Sequence, residues 1–380
     1  MALFLLLYLT LYGSTHAYAL WRARALLALG PVASLALAAW MALMVLAPVL
    51  VRLSERAGWE AAARALAWVG YLWMGLLFLY VCAAWTLDLV RPLAALAARL
   101  CGAAVPTWVF GAKASFLLAL ALAAAGNLYG FFEARAVRTR HVEIFSDKVP
   151  RSVGRFRIVQ ISDVHLGLLV RGSQMDRIAR AVAAAKPDLL VCTGDLVDGE
   201  PARVNGLSER LAALNAPAGK LAVTGNHEFY AGLEQSLAFT RKAGFTLLRA
   251  EKVVLGGWLE VVGVDDPAGS RGTQAPHLEE APLLEGAAPS RFLLLLKHRP
   301  VVGGGTAGRF DLQLSGHVHG GQLFPFHLAV RAAYRLGPGL QAVGGGSRVY
   351  VSRGSGSWGP PVRLFAPPEV TVIDLLSPPS

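Results

Sequence analysis

Five short clusters along this chain carry side chains able to hold a divalent cation. Asp163-Val164-His165 comes first, and Gly194-Asp195, within Thr193–Asp198, comes second. Gly225-Asn226-His227-Glu228 follows, then His298, then Ser315-Gly316-His317-Val318-His319-Gly320-Gly321-Gln322. Five of the nine histidines fall in these clusters, so imidazole is concentrated where the carboxylates are. Neutral imidazole is a common ligand for borderline divalent metals. Two imidazoles on a loop flanked by glycines can be splayed towards two points, one ion for each. A capping Asp, a turn Asn or a surface His would explain any one cluster. Five in this order point to a site.

Ligand type suggests how the site is divided. A carboxylate that bridges two cations lowers their mutual repulsion, and Asp195, central in the series, suits that position. Asp163, His165 and one loop imidazole would complete one ion; Asn226, His298 and the other imidazole would complete the second. Ions held roughly 3.5–4 Å apart would generate hydroxide at neutral pH and clamp a phosphoryl group for in-line attack. Mixed nitrogen and oxygen ligation admits Mn, Fe, Zn or Co. His227 adjoins a ligand without needing to be one, and it suits a general acid protonating the leaving oxygen.

The elements that position these groups follow from periodicity. Arg155–Ser162, Asp188–Gly194 and Lys220–Gly225 read as strands, with helical patterns near 175–185, 204–214 and 231–243. Further strands are expected near 246–255, 258–264, 291–297, 311–315, 347–352 and 369–376. Each cluster ends a strand, and open α/β sheets bind ligands beyond the carboxyl ends of their strands. The strand-rich second half suggests a second sheet packed on the first. Pro267–Pro289 and Gly303–Gly308 read as loops. Gly344-Gly345-Gly346 lacks the Lys-Ser/Thr of a phosphate-cradling loop and reads as a hairpin or flexible loop. Arg353, in a Gly/Ser-rich loop, is a weaker candidate for meeting a phosphate. Asp198 and Asp266 read as supporting rather than ligating carboxylates. His16, His141, His277 and His327 have no partner in the pattern.

The rest of the chain is unlike a soluble enzyme. Of its 380 residues 54% are hydrophobic and only 16% charged, and the apolar excess lies before about residue 132. Apolar runs over roughly 2–20, 26–51, 61–89 and 107–132 each reach the ~20 residues of a spanning helix. Arg22 and Arg24, then Arg52, Glu55 and Arg56, then Arg91 and Arg99 separate them, with Trp21, Trp59, Trp85 and Trp108 near run ends. Residues 1–134 therefore read as a multi-pass anchor of about four transmembrane helices, 135–154 as a basic juxtamembrane linker, and 155–376 as the globular domain. No central charge pair suggests a transporter. Cys82, Cys101 and Cys192 are too scattered for a disulfide framework or a Cys-based zinc site. Basic residues near the runs are slightly more numerous on the domain side, which leans the catalytic domain towards the cytoplasm; Arg22 and Arg24 pull the other way. Net charge +11 favours anionic partners or acidic headgroups. No recognition motif interleaves the basic residues, so nucleic acid is not expected. Nothing in the pattern speaks to oligomeric state.

Asp-x-His, Gly-Asp, Gly-Asn-His-Glu, His and Gly-His-x-His in this order resemble the calcineurin-like metallophosphoesterase superfamily, over about 155–376. The resemblance implies a two-sheet αββα sandwich with a dinuclear metal centre. Asp163, His165, Asp195 and His319 would hold the first ion, Asp195, Asn226, His298 and His317 the second, and His227 would be the catalytic histidine. His319-Gly320-Gly321-Gln322, Tyr350-Val351-Ser352-Arg353-Gly354 and Val362-Arg363-Leu364-Phe365 are similar to a narrower, membrane-associated branch. Its relatives include a transmembrane protein with metallophosphoesterase domain and hydrolases of UDP-2,3-diacylglucosamine. Val318 stands where many relatives have Thr. The implied activity is phosphoester or pyrophosphate hydrolysis, with a lipid-linked phosphate among the substrates and the bilayer as a partner. The rival reading is a catalytically idle metal-binding membrane module for sensing or partner binding; a missing ligand or a replaced His227 would favour it, and neither occurs.

Overall fold

A computed structural model describes residues 2–104, 110–199, 206–272 and 280–378. The chain divides into two units: residues up to Phe132 with Gly359–Leu364, and Glu133–Trp358 with the chain from Phe365 onward.

The first unit is built on α1 (Ala2–Leu27), α2 (Pro31–Arg56), α3 (Glu60–Leu100) and α4 (Ala112–Glu133), whose last residue, Glu133, falls in the second unit. Three of these, α2, α3 and α4, are long and apolar enough to cross a membrane. The fourth expected run is α1, which continues through Arg22 and Arg24 rather than breaking at them. Likewise α3 runs on past Arg91 and Arg99 as one helix of 41 residues. Both corrections share a cause: Arg and Leu are good helix formers, so charge alone does not end a helix. Small residues line the buried contacts, as they do where helices pack in lipid. A Cβ added to Gly70 of α3 would lie 2.7 Å from the Ala47 Cβ of α2. Leu35, Leu43, Leu46 and Leu120 meanwhile stay exposed. Arg22 is buried and donates to Asp88 across 2.8 Å, and the Tyr18 hydroxyl donates to the same carboxylate. His16 accepts from Trp73 Nε1 at 2.9 Å.

The second unit holds two six-stranded sheets. The first runs in the order β1 (Arg138–Phe145), β12 (Glu369–Leu376), β2 (Arg155–Ile161), β3 (Leu189–Cys192), β4 (Lys220–Ala222), β5 (Thr246–Leu247). The second runs β10 (Gly339–Gly344), β11 (Ser347–Val351), β9 (Leu312–Ser315), β8 (Phe292–Leu296), β7 (Leu259–Gly263), β6 (Glu251–Leu255). β2 to β5 are mutually parallel, as are β7, β8 and β9. Unbroken apolar strands such as Phe292–Leu296 are buried throughout, as strands covered on both faces must be. Ile158, Leu189, Val191, Leu294, Leu296 and Leu314 meet in one apolar core shared by the two sheets. On the other face of the first sheet, Val159, Ile161, Leu190 and Cys192 pack with Met175, Ile178 and Val182 of α5 (Gly172–Ala185). Shorter helices complete the unit: α6 (Leu207–Ala212), α7 (Asn226–Ala231), α8 (Leu233–Lys242), α9 (Glu280–Leu284) and α10 (His327–Ala333).

The stretch expected as linker contains β1. It pairs in parallel with β12, Val142 opposite Ile373 and Ile144 opposite Leu375. The sequence hid it because it is an edge strand: Arg138, Arg140 and Glu143 stay exposed, the charged dress such edges wear. β10 was also unforeseen: Gly344 of the triple glycine ends it, opposite Ser347, and Gly345-Gly346 make the turn into β11. His277, Trp108 and part of the expected Pro267–Pro289 loop lie outside the described residues. His327 stacks on Phe324, with ring centroids 5.3 Å apart.

Candidate metal centre

Five loops leaving the carboxyl ends of β2, β3, β4, β8 and β9 bring the predicted groups together. Asp163, His165, Asp195, Asn226, His298 and His319 are buried, and His317 is half-buried. His165 Nε2 lies 3.1 Å from His319 Nε2, which is 3.4 Å from Asp163 Oδ1. Asp195 Oδ2 lies 3.7 Å from His165 Nε2 and 3.2 Å from His298 Nε2. His298 Nε2 in turn is 3.1 Å from His317 Nδ1. Asp163, His165 and His319 thus form one convergent donor group, and Asp195, His298 and His317 another. A third group, His165, Asp195 and His227, joins the central carboxylate to the expected general acid.

The backbone explains why these positions converge. Asp163, His165, Asp195, His317 and His319 all have positive φ, between 50° and 73°. Residues with a Cβ are rare in that region, and each costs on the order of 1–3 kcal/mol that the surrounding fold must offset. Close approach also demands glycine: a Cβ on Gly225 would strike Asp195 Oδ1, and one on Gly316 would strike Ser162 Oγ and Asp163 Oδ2. The Glu228 carboxylate accepts from the backbone N–H groups of Asp195, Leu196 and Gly225 at 3.0, 2.8 and 2.7 Å. It thereby ties the turn after β3 to the start of α7. His227 N–H donates to Asp195 Oδ1 at 2.8 Å, and His317 N–H to Asp163 Oδ1 at 2.9 Å. His298 Nδ1 donates to the Thr193 carbonyl at 2.8 Å, which aims Nε2 at Asp195.

Electrostatics divides the imidazoles by charge. Burial, then the neighbouring His227, pushes His165 down to about 4, and burial with His298 pushes His317 down to about 3. Both are neutral at pH 7, the form that ligates. Burial also pulls on His298, but the charge and hydrogen bond of Asp195 lift it to about 10. Asp195 is the reciprocal case: burial would raise it, yet His298, His227 and His165 hold it well below the usual carboxylate range. Burial lowers His227 too, and the Asp198 hydrogen bond with the Asp195 charge outweighs it, to about 9.

The donor set fits a pair of divalent cations. Asn226 Oδ1 and His165 Nδ1 are buried with no hydrogen-bond partner. A buried amide oxygen without a partner is costly unless something else satisfies it. Nitrogen and oxygen donors without thiolate suit borderline divalent metals.

Other predicted residues fall elsewhere. Asp198 Oδ1 is 3.1 Å from His227 Nδ1, so it supports the histidine rather than a metal. Asp266 accepts two hydrogen bonds from Arg299, at 2.7 and 2.8 Å. Arg353 stands outside the donor groups and pairs with Glu369 at 3.3 Å. Glu228 was missed as a positioning residue, although its place three residues after Gly225 is a helix-start signal. Tyr230 and Trp358, whose rings lie against His227, carried no local signal.

The chain is similar to several known proteins. A family model described as calcineurin-like phosphoesterase matches residues 156–321. An uncharacterized metallophosphoesterase of Aquifex aeolicus is 38% identical over 248 residues, covering 65% of this chain and 95% of that protein. The Bos taurus transmembrane protein with metallophosphoesterase domain is 34% identical over 257 residues, covering 63% of this chain and 57% of that protein. The match to a Campylobacter jejuni metallophosphoesterase likewise covers less than two thirds of it, 64%, at 34% identity and 63% of this chain. Among solved structures, a dimetal phosphatase from Danio rerio is 15% identical with a TM-score of 0.37, covering 53% of this chain and 88% of that one.

Proposed function

This chain belongs to the calcineurin-like metallophosphoesterase family, and on that premise we propose that it is a membrane-anchored phosphohydrolase using two divalent ions. The observation that carries the reading is Asp195 Oδ2, which lies within 4 Å of a nitrogen from each donor group. Asp163, His165, Asp195 and His319 would hold one ion; Asp195, Asn226, His298 and His317 would hold the other. When bound, such a pair supplies a nucleophile from water at neutral pH and polarises the phosphoryl oxygens. The protein's own groups then do the rest. Asp198 engages His227 Nδ1, so His227 presents Nε2 to the leaving oxygen and hands it a proton as the P–O bond breaks. The phosphorus gains the oxygen of water, and the proton that water sheds restores His227. Glu228 keeps Asp195 and His227 in register through the backbone bonds described above. An intact His227–Asp198 pair favours a working enzyme over an idle module.

The substrate we propose is a phosphate-bearing molecule available at the membrane, a lipid-linked phosphoester or pyrophosphate, hydrolysed at the cytoplasmic face. Three apolar helices and a transmembrane relative support the anchoring. The test is hydrolysis by the purified full chain, supplied separately with Mn, Fe, Zn and Co. The panel holds an aryl phosphodiester, phospholipids and UDP-2,3-diacylglucosamine. Turnover with one of these metals and none after chelation is expected. No turnover with any metal on any substrate would refute the reading.

A further inference from the structure

Resting on the phosphoesterase reading, we propose that Trp358 and Tyr230 form the leaving-group subsite of this centre and select a planar, unsaturated group on the esterified alcohol. His227 Nδ1 is turned to Asp198, which leaves Nε2 for the leaving oxygen. Whatever hangs from that oxygen must lie beside the neighbours of His227. One neighbour is His165, 4.6 Å away between ring centroids and already part of the metal-ligand set. Among the described residues, Tyr230 and Trp358 also set their rings beside His227, at 5.5 and 5.6 Å. Both rings stand at steep angles to the imidazole, 67° and 71°, rather than stacking on it.

Unlike the donor residues of the site, both are exposed, 65% for Tyr230 and 52% for Trp358. Large aromatics that do not serve a core and border a buried polar site are informative. Trp358 is also held in place. Gln322 Nε2 donates to the Trp358 carbonyl at 2.8 Å, and the Trp358 N–H donates to Gln322 Oε1 at 3.1 Å. Gln322 closes the loop that carries His317 and His319, so one motif supplies metal donors and fixes an aromatic ring beside the acid. Tyr230 is placed by the helix: it lies three residues after His227 in α7, on the same face. Aromatic rings favour offset-stacked or edge-on contact with other rings. They make no such distinction among saturated groups, so planarity is what this pair would read.

Three esters test this: the methyl, benzyl and cyclohexylmethyl monoesters of methylphosphonate. Each has one scissile ester bond, and the alcohols are close in acidity. With the full chain and Mn2+, kcat/KM for benzyl should exceed that for the other two by about tenfold, the size of an aromatic pairing. Trp358→Ala should collapse the benzyl-to-methyl ratio by about the same factor, while Trp358→Phe keeps most of it. Gln322→Ala should lower the ratio as well, with metal content checked in every variant. A ratio unmoved by Trp358→Ala would overturn the subsite. Equal rates for benzyl and cyclohexylmethyl would overturn planarity as what is read. A wild-type chain that turns over the wider panel yet cleaves none of the three esters would overturn this inference alone, whereas no turnover with any metal on any substrate would sink the phosphoesterase reading and this inference with it.

Discussion

The two units of this chain bury charge in opposite ways. In the helical unit, the buried Arg22 guanidinium is met directly at 2.8 Å by the exposed Asp88 carboxylate, which also accepts from the Tyr18 hydroxyl. In the α/β unit, Asp163 and Asp195 are buried among five imidazoles that are themselves crowded together. Burying charge is costly in both units, but only the second adds backbone strain at five of the same residues. A self-contained ion pair can steady helix packing and needs nothing further. Convergent donors with positive φ and an orphaned Asn226 Oδ1 are organised for something that is added. The contrast teaches that how buried charge is completed matters more than how much is buried.

The sharpest way to break the comparison is Asp195→Ala. It should remove both ions and lower kcat/KM by more than about the 10–100-fold that supporting groups around a metal typically cost. Two full equivalents of metal by elemental analysis of that variant would refute the shared carboxylate. His298→Ala should mainly weaken the second ion, leaving about one equivalent.

Next in size is Asp198→Asn. It should lower kcat about tenfold to a hundredfold, less than the roughly 10^2–10^4 that a full general acid contributes, with metal content unchanged. A drop in bound metal of the same extent would make Asp198 a ligand support instead.

The helical unit offers a smaller effect of another kind. Gly70→Leu should separate α2 from α3, because even a Cβ there would crowd Ala47. The expected cost is about 1–3 kcal/mol, read as a lower melting temperature of the helical unit in detergent. Metal content and the ester rates of the α/β unit should hold, and their loss would show the units to be coupled.

The mildest test concerns the β2–β12 pair away from the metals. Arg157 donates to both oxygens of Asp374 at 2.8 Å, and that hydrogen bond holds the Asp374 carboxyl below its usual range. Its contribution is present above the unfolded value of about 3.9 and is lost as pH falls through the lowered folded one. The wild type should therefore melt above Asp374→Asn at pH 7, and the gap should close in acid. A gap unchanged down to the lowest pH at which the fold persists would show the pair to be idle.

The amino-acid sequence alone determined the order of the five polar clusters, their position after strands, and the apolar character of the first 132 residues. Those are local properties: a ligand is a residue type, a buried strand is a run of Leu and Val, and a helix in lipid is length plus apolarity. Only the tertiary structure decided which groups meet. It drew Asp198 to His227, made Glu228 the clasp between two turns, and brought Trp358 to Gln322 across 36 residues of chain. It also took β1 out of the expected linker, since an edge strand dressed in Arg and Glu is recognised by the partner it pairs with and not by its own pattern. The positive φ of Asp163 and Asp195 is likewise invisible in one dimension. It is imposed by packing that forces a turn where a carboxylate is needed, and packing exists only once distant segments have met.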